Sequence, residues 1–390
     1  MTVSCLVPKR EGSQRWKFTT RTTKFRHLKG TILKKEHHVT NISGLCRTIP
    51  GECNYFKAND KFCFVPIGNN NKLAVIKSKG HRVETTLMPS LIVSGCSICD
   101  FDLNPFNNFE VAIGCSNGCI KIWSIPEHGL TCSSEDPSSE LNGHSERVVI
   151  VQYHPTASGV LTSASTDLTI RIWDMKSAEQ KIVVDTVSPP FGLSWHPDGT
   201  LLAVVSRDHK VRVIDVRSGG KVVSCGASTP GSRGGRVCWT NRGTQLAVIG
   251  FSKVSERQIV LYSADDLSSP LATEGIDVNP SILVPFYDED SRTLFLTGKG
   301  DSTVFAFEIS PTDEKAPFIH HLSHFTCPSP HQALALLPKS SCDVKKVEFA
   351  KGFRLTNNSI QPLSFTVPRL RVSFFTHLLS YWLSVVIVSI

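Results

Sequence analysis

Four side chains in the middle of this chain have the composition of a hydrolytic relay: His144, Ser163, Asp167 and Trp173. A histidine oriented by a carboxylate can activate a serine hydroxyl for acyl transfer, but that serine must sit on an exposed, sharp strand-to-helix turn. Here Gly143-His144 precedes one apolar run, Ser163 lies inside the next, Asp167 stands in a polar turn, and Trp173 closes a third. A serine on an inner strand cannot present itself to a substrate. The same four residue types can instead satisfy one another when buried, with the aspartate in the turn and the indole N–H directed inward, and so fix the register of one structural unit. That structural role is the reading taken. Asn117 replaces the aspartate one repeat earlier, and Ile214 replaces the tryptophan one repeat later.

Three other groups could do chemistry. Cys96, Cys99, Cys115 and Cys119 imitate a paired zinc motif, yet Cys99 falls on a strand while Cys115 and Cys119 flank a hairpin, so the four sulfurs need not converge. They read as core or surface thiols. Gly298-Lys299-Gly300-Asp301-Ser302 has a faint phosphate-loop look, but no helix follows to supply the amides. His37-His38 has no ligand partner nearby and reads as solvent-facing. Neither an activated nucleophile nor an acid–base pair emerges, so no enzyme, cofactor or metal is expected.

The elements that position these residues repeat about every 41 to 50 residues. Each copy is an apolar run, a polar turn, a second apolar run and an alternating strand with a large residue near its end. The endings are Leu73 to Ile76, Ile120 to Trp123, Ile170 to Trp173, Val211 to Ile214, Ile259 to Tyr262 and Val304 to Phe307, with a weaker seventh at Val344 to Phe349. Alternation over short runs bounded by turns such as Asn117-Gly118 argues half-buried strands. The period and the Trp-Asp ending argue propeller blades of four strands each. The expected fold is all-β: a seven-bladed β-propeller of WD40-type repeats over 18–352, closed by pairing of its two ends, with the segment Ile42 to Ile49 structural. Residues 131–140, acidic and Ser-rich, read as an exposed loop between blades.

Charge is unevenly placed. Residues 1–40 hold ten Lys/Arg against two acids, which accounts for the whole formal net charge of +8. Such an arm suits an acidic partner, whether a filament, nucleic acid or anionic lipid. The N-terminus has no apolar stretch of signal-peptide type, so the thirteen cysteines read as the buried thiols of a cytoplasmic protein rather than as disulfides. Residues 372–390 contain no Lys, Arg, Asp or Glu. They approach the length of a membrane span, but are read as a truncated or mis-spliced end, with a tail anchor as the alternative.

Several segments resemble the coronin family. Lys24-Phe25-Arg26-His27, Gly250 to Gln258, Val284 to Asp288, Gly298 to Ser302, Leu337-Pro338-Lys339 with Cys342-Asp343-Val344, and Thr366-Val367-Pro368-Arg369 follow the family in order from residue 16 to 369. Trp16-Lys17-Phe18 and Phe101 to Phe109 are similar to the long, tandem-propeller members. The resemblance implies non-enzymatic binding of F-actin, with Lys24, Arg26, Lys34, Lys35 and Arg47 as candidate contacts, and other cytoskeletal or trafficking proteins as further partners. It implies a cytoskeletal, Golgi or vesicle location and no nucleic acid. Residues 1–17 read from their charge as a basic arm, and the resemblance places a C-terminal extension packed on the propeller at 353–369 and a segment outside the family pattern at 370–390. Short coronins carry Asp-Ile-Arg where this chain has Asn41-Ile42-Ser43, so a filament-binding arginine is missing. A trafficking scaffold with little actin affinity is the alternative.

Overall fold

The computed structural model describes residues 23, 25–46, 53–78, 90–231 and 233–368. Their backbone forms seven antiparallel sheets and three short 3-10 turns. No helix among the described residues is long and apolar enough to cross a membrane.

Six blades run in simple order. The first contains Lys57–Ala58, Phe62–Ile67, Lys72–Lys77 and Ser90–Val93, and the second Ile98–Leu103, Glu110–Cys115, Ile120–Ser124 and Ser139–Leu141. The third contains Val148–Tyr153, Val160–Ser165, Thr169–Asp174 and Glu179–Asp185; the fourth begins at Pro190, the fifth at Arg236 and the sixth at Leu283. Because every neighbour is antiparallel, the hairpin between second and third strands and the loop entering the next blade share one end of the ring, the upper end. Second strands are buried on both faces, as in Gln245–Phe251, because blades pack against each other there. Seven apolar clusters occupy the seven seams. One joins Val148, Val151 and Trp173 of the third blade to Ala112, Ile120 and Leu141 of the second. Another closes the ring by packing Ala335, Phe353 and Ile360 on Phe56, Val65 and Ala74.

The seventh blade differs from the sequence expectation in three ways. Its outermost strand is Lys29–Ile32, which pairs with Ser359–Thr366 through Lys29↔Thr366 and Ile32↔Leu363. Val39–Thr40 pairs farther along the same strand. Closure therefore begins earlier than the Ile42 to Ile49 segment, although Ile42 is buried and donates its amide to the Asn358 carbonyl. Second, Val344–Lys346 is a 3-10 turn, capped by Asp343 and ended by Val347 in the left-handed region; the strand starts at Glu348. The large-residue ending of this blade is Phe365 instead. Third, Glu348–Leu355 and Ser359–Thr366 are its second and third strands, so 353–368 is part of the blade rather than an extension packed on it, and a boundary at 352 would cut a strand.

The 131–140 segment is mostly exposed, but it is not all loop: Ser134 bridges Ile92 on the first blade, and Ser139 to Leu141 supply the fourth strand of the second.

Candidate functional site

The hairpin at 166–168 and the loop carrying Gly143-His144 meet at the upper end of the third blade. His144 Nδ1 lies 2.8 Å from Asp167 Oδ2, and its Nε2 lies 2.7 Å from Ser163 Oγ. Trp173 Nε1 donates to the same Ser163 oxygen at 2.8 Å. Thr169 completes the set, its hydroxyl donating to Asp167 Oδ1 at 2.7 Å. Burial pushes the His144 imidazole down more than the Asp167 carboxylate pulls it up. Burial also raises the Asp167 carboxyl, but hydrogen bonds from Thr169 and His144 outweigh that and bring it to about 2. The consistent state is a neutral imidazole donating from Nδ1 to a carboxylate and accepting the serine proton at Nε2. Ser163, fully buried on the second strand, faces no solvent. The arrangement holds a blade together and offers no nucleophile.

The basic candidates do not gather on the upper end. Arg26 is exposed beside the sixth blade, where its carbonyl accepts from Ser323 Oγ at 2.9 Å. Lys34 and Lys35 are exposed in the turn between Lys29–Ile32 and Val39–Thr40, on the outer edge of the seventh blade. Lys24 and Arg47 lie outside the described residues. Lys29, not singled out as a candidate above, shares this edge: alternation in Lys-Gly-Thr-Ile turns Lys29 and Thr31 outward while Gly30 and Ile32 face in. That period-two pattern is the signal that could have found it. Ser43, at the position of the missing arginine, is exposed. His38 is half-buried with Nε2 2.8 Å from the Leu33 carbonyl oxygen, so only His37 of that pair faces solvent.

A larger ionic cluster went unread in the sequence. Arg257 is buried on the fifth blade and forks onto both Asp277 oxygens at 2.5 Å, while reaching Asp301 at 2.7 Å and Ser281 at 2.9 Å. It ties the fifth blade to the sixth. The Gly298 amide donates to Asp301's own carboxylate at 2.9 Å, so the loop that looked phosphate-binding already holds its anion. Among the described residues no group of three or more His, Cys, Asp or Glu is placed to share a metal ion. No disulfide joins any two of the twelve described cysteines.

A closed ring of seven blades, five of four strands and two with a fifth short strand, and a Gly-His, Ser, Asp and Trp network in one of them, define a WD-repeat propeller, a class that presents surfaces to partners. The WD domain, G-beta repeat, matches residues 135–174, and the anaphase-promoting complex subunit 4 WD40 domain matches 168–232. A domain of unknown function (DUF1899) matches 18–81. Coronin-7 of Homo sapiens is 40% identical over 358 residues, 91% of this chain and 38% of that protein. Coronin-like protein crn1 of Schizosaccharomyces pombe is 34% identical, over 91% of this chain and 59% of its own length. Coronin-2A of Homo sapiens is 31% identical over 92% of this chain and 69% of its own. The chain belongs to the coronin family. It spans 38% of the length of the coronin-7 relative it matches. The WD40 domain of Toxoplasma gondii coronin superposes with a TM-score of 0.80 at 23% identity, covering 89% of this chain and 88% of that one, a likeness of fold.

Proposed function

We propose that this chain is a non-enzymatic actin-filament-binding propeller that engages the filament through the basic outer edge of its seventh blade. The observation that carries the reading is the composition of that edge. Between residues 25 and 40 the exposed charged side chains are Arg26, Lys29, Lys34, Lys35 and a single acid, Glu36. The four cations make no ion pair with another described residue, whereas Glu36 is 3.5 Å from His37. Solvated cations gathered along one edge attract an acidic filament at long range and lose that attraction as salt rises. Lys24 and Arg47 flank this edge in sequence and belong to the same proposal. Ser43, exposed and uncharged where short coronins carry arginine, favours the second reading, a scaffold for Golgi or endosomal trafficking proteins with little actin affinity.

Co-sedimentation of the full chain with actin filaments across a salt series tests the first reading. Pelleting at low salt that fades as salt rises supports it. No pelleting at low salt overturns it and leaves the scaffold reading.

A further inference from the structure

The upper end of the second blade carries thiols where the third carries its polar network. The two blades share one register at an offset of fifty: Ile98↔Cys115 answers Val148↔Ser165, and Glu110↔Ser124 answers Val160↔Asp174. In the third blade Ser165 Oγ reaches back 3.1 Å to the carbonyl of Glu146. The matching pair in the second blade is Cys115 and Cys96. Cys96 sits half-buried in the Ser94–Ser97 loop that enters the blade, and Cys115 is fully buried at the end of the second strand. Backbone bonds hold the two segments together, with the Ser116 amide 2.9 Å from the Ser97 carbonyl. The two thiols are near enough to shift each other's acidity.

The surroundings separate the two thiols. Lys121, on the third strand, lies beside Cys96: its ammonium donates to the Ser94 carbonyl at 3.1 Å and pairs with Glu140 at 3.2 Å, and the Cys96 thiol contacts that same carbonyl at 3.6 Å. Interaction with Cys115 pulls Cys96 down to about 7 against the cost of burial, with Lys121 and Ser94 adding to it and Glu140 opposing. Cys115 moves the other way, raised by that same interaction and by burial, and burial pushes the neighbouring Cys119 up to about 11. A partly exposed thiolate next to a buried, protonated thiol is the arrangement of an attacking and a resolving cysteine.

We propose that Cys96 and Cys115 form a hydroperoxide-sensitive thiol pair. The Cys96 thiolate attacks the distal oxygen of a hydroperoxide, forming an S–O bond as the O–O bond breaks and water or an alcohol leaves after protonation. The sulfur is thereby oxidised to the sulfenic acid and the peroxide reduced. The Cys115 sulfur then attacks Cys96, the S–O bond breaks, the Cys115 proton leaves with the hydroxyl as water, and a disulfide links the loop entering the second blade to its second strand. Two thiols and one peroxide are consumed, and a dithiol reductant reverses the step.

The test is intact-mass and peptide mapping of the full chain after limited hydrogen peroxide, together with alkylation of each cysteine as a function of pH. A Cys96–Cys115 linked peptide, two mass units lighter and lost on reduction, is expected. Cys115→Ser should trap a dimedone-reactive sulfenic acid at Cys96. In the unmodified chain the alkylation midpoint of Cys96 should fall near pH 7, below the midpoints measured for the exposed Cys132 and Cys225 in the same experiment. Oxidation confined to Cys132 and Cys225, or a Cys96 midpoint equal to theirs, would overturn the proposal; the second readout needs no variant and so does not depend on one folding.

Discussion

The second and third blades have first and second strands of the same length, the same bulge after the first pair, and the same tryptophan fifty residues apart, yet their interiors are finished differently. In the third, Trp173 Nε1 donates to Ser163, which bonds His144, which is held by Asp167. In the second the matching residues are Trp123, Ile113, Ser94 and Asn117, and Trp123 Nε1 is buried without a partner among the described residues. Both blades nevertheless form, with their second strands buried to the same degree. The apolar alternation and the packing at the seams therefore build a blade. The polar network adds register and stability to one that already exists.

Removing the network's anchor should have the largest effect. Asp167→Ala strands a buried imidazole N–H and a threonine hydroxyl, and should cost about 3 kcal/mol in denaturant unfolding. Asn117→Ala, at the matching exposed turn, should cost less than about 1 kcal/mol. Equal losses would mean that the network is not what distinguishes the blades.

Acid provides the second test. Burial, reinforced by Arg354, pushes the fully buried His331 down to about 4, and burial lowers His144 in the same direction. The unfolded chain takes up these protons first, near the ordinary histidine value of about 6.5. Stability is thus intact above about pH 6.5 and is lost as pH falls from there towards about 4, with His331 contributing on the order of 3 kcal/mol across that window. Unfolding measured over the window should show the slope, and His331→Gln should flatten it. Asp167, already held at about 2, adds loss only below the ordinary carboxylate range.

Two smaller contrasts sharpen the comparison. Trp173→Phe deletes a satisfied indole N–H and leaves Ser163 short of a donor, for a loss of about 1–2 kcal/mol, whereas Trp123→Phe removes an unpartnered group and should be close to neutral in the same unfolding assay. At the matching hairpin position Gly118 has φ +84° and Leu168 has φ +66°. Leu168→Gly should gain about 1 kcal/mol in melting experiments. Gly118→Ala should destabilise, because its added carbon would press on the His144 carbonyl.

Much of this was legible in the sequence where period and turn chemistry agreed. Six of the seven third-strand endings, the hairpins and the members of the third-blade network could be read from spacing. The seventh blade could not, because its strands come from opposite ends of the chain and its true ending, Phe365, lies beyond the Val344 to Phe349 run that resembles one. Arg257 was invisible because its partners Asp277 and Asp301 are 20 and 44 residues away on other elements. The Cys96–Cys115 relation needed the inter-strand register, whereas the sequence offered only the order of four cysteines.

The central claim is that charge on the seventh blade's edge, and not charge in general, holds the filament. The most direct measurement compares actin co-sedimentation of the unmodified chain with two charge reversals that leave the cores untouched: Lys34→Glu/Lys35→Glu on the edge, and Arg207→Glu/Arg233→Glu at the upper end, where those exposed cations lie over Phe191 and Phe251. The account predicts about tenfold weaker binding for the edge reversal, from roughly 0.7 kcal/mol per exposed charge, and near-unchanged binding for the upper-end reversal. Equal weakening by both, or loss only with the upper-end pair, would contradict it.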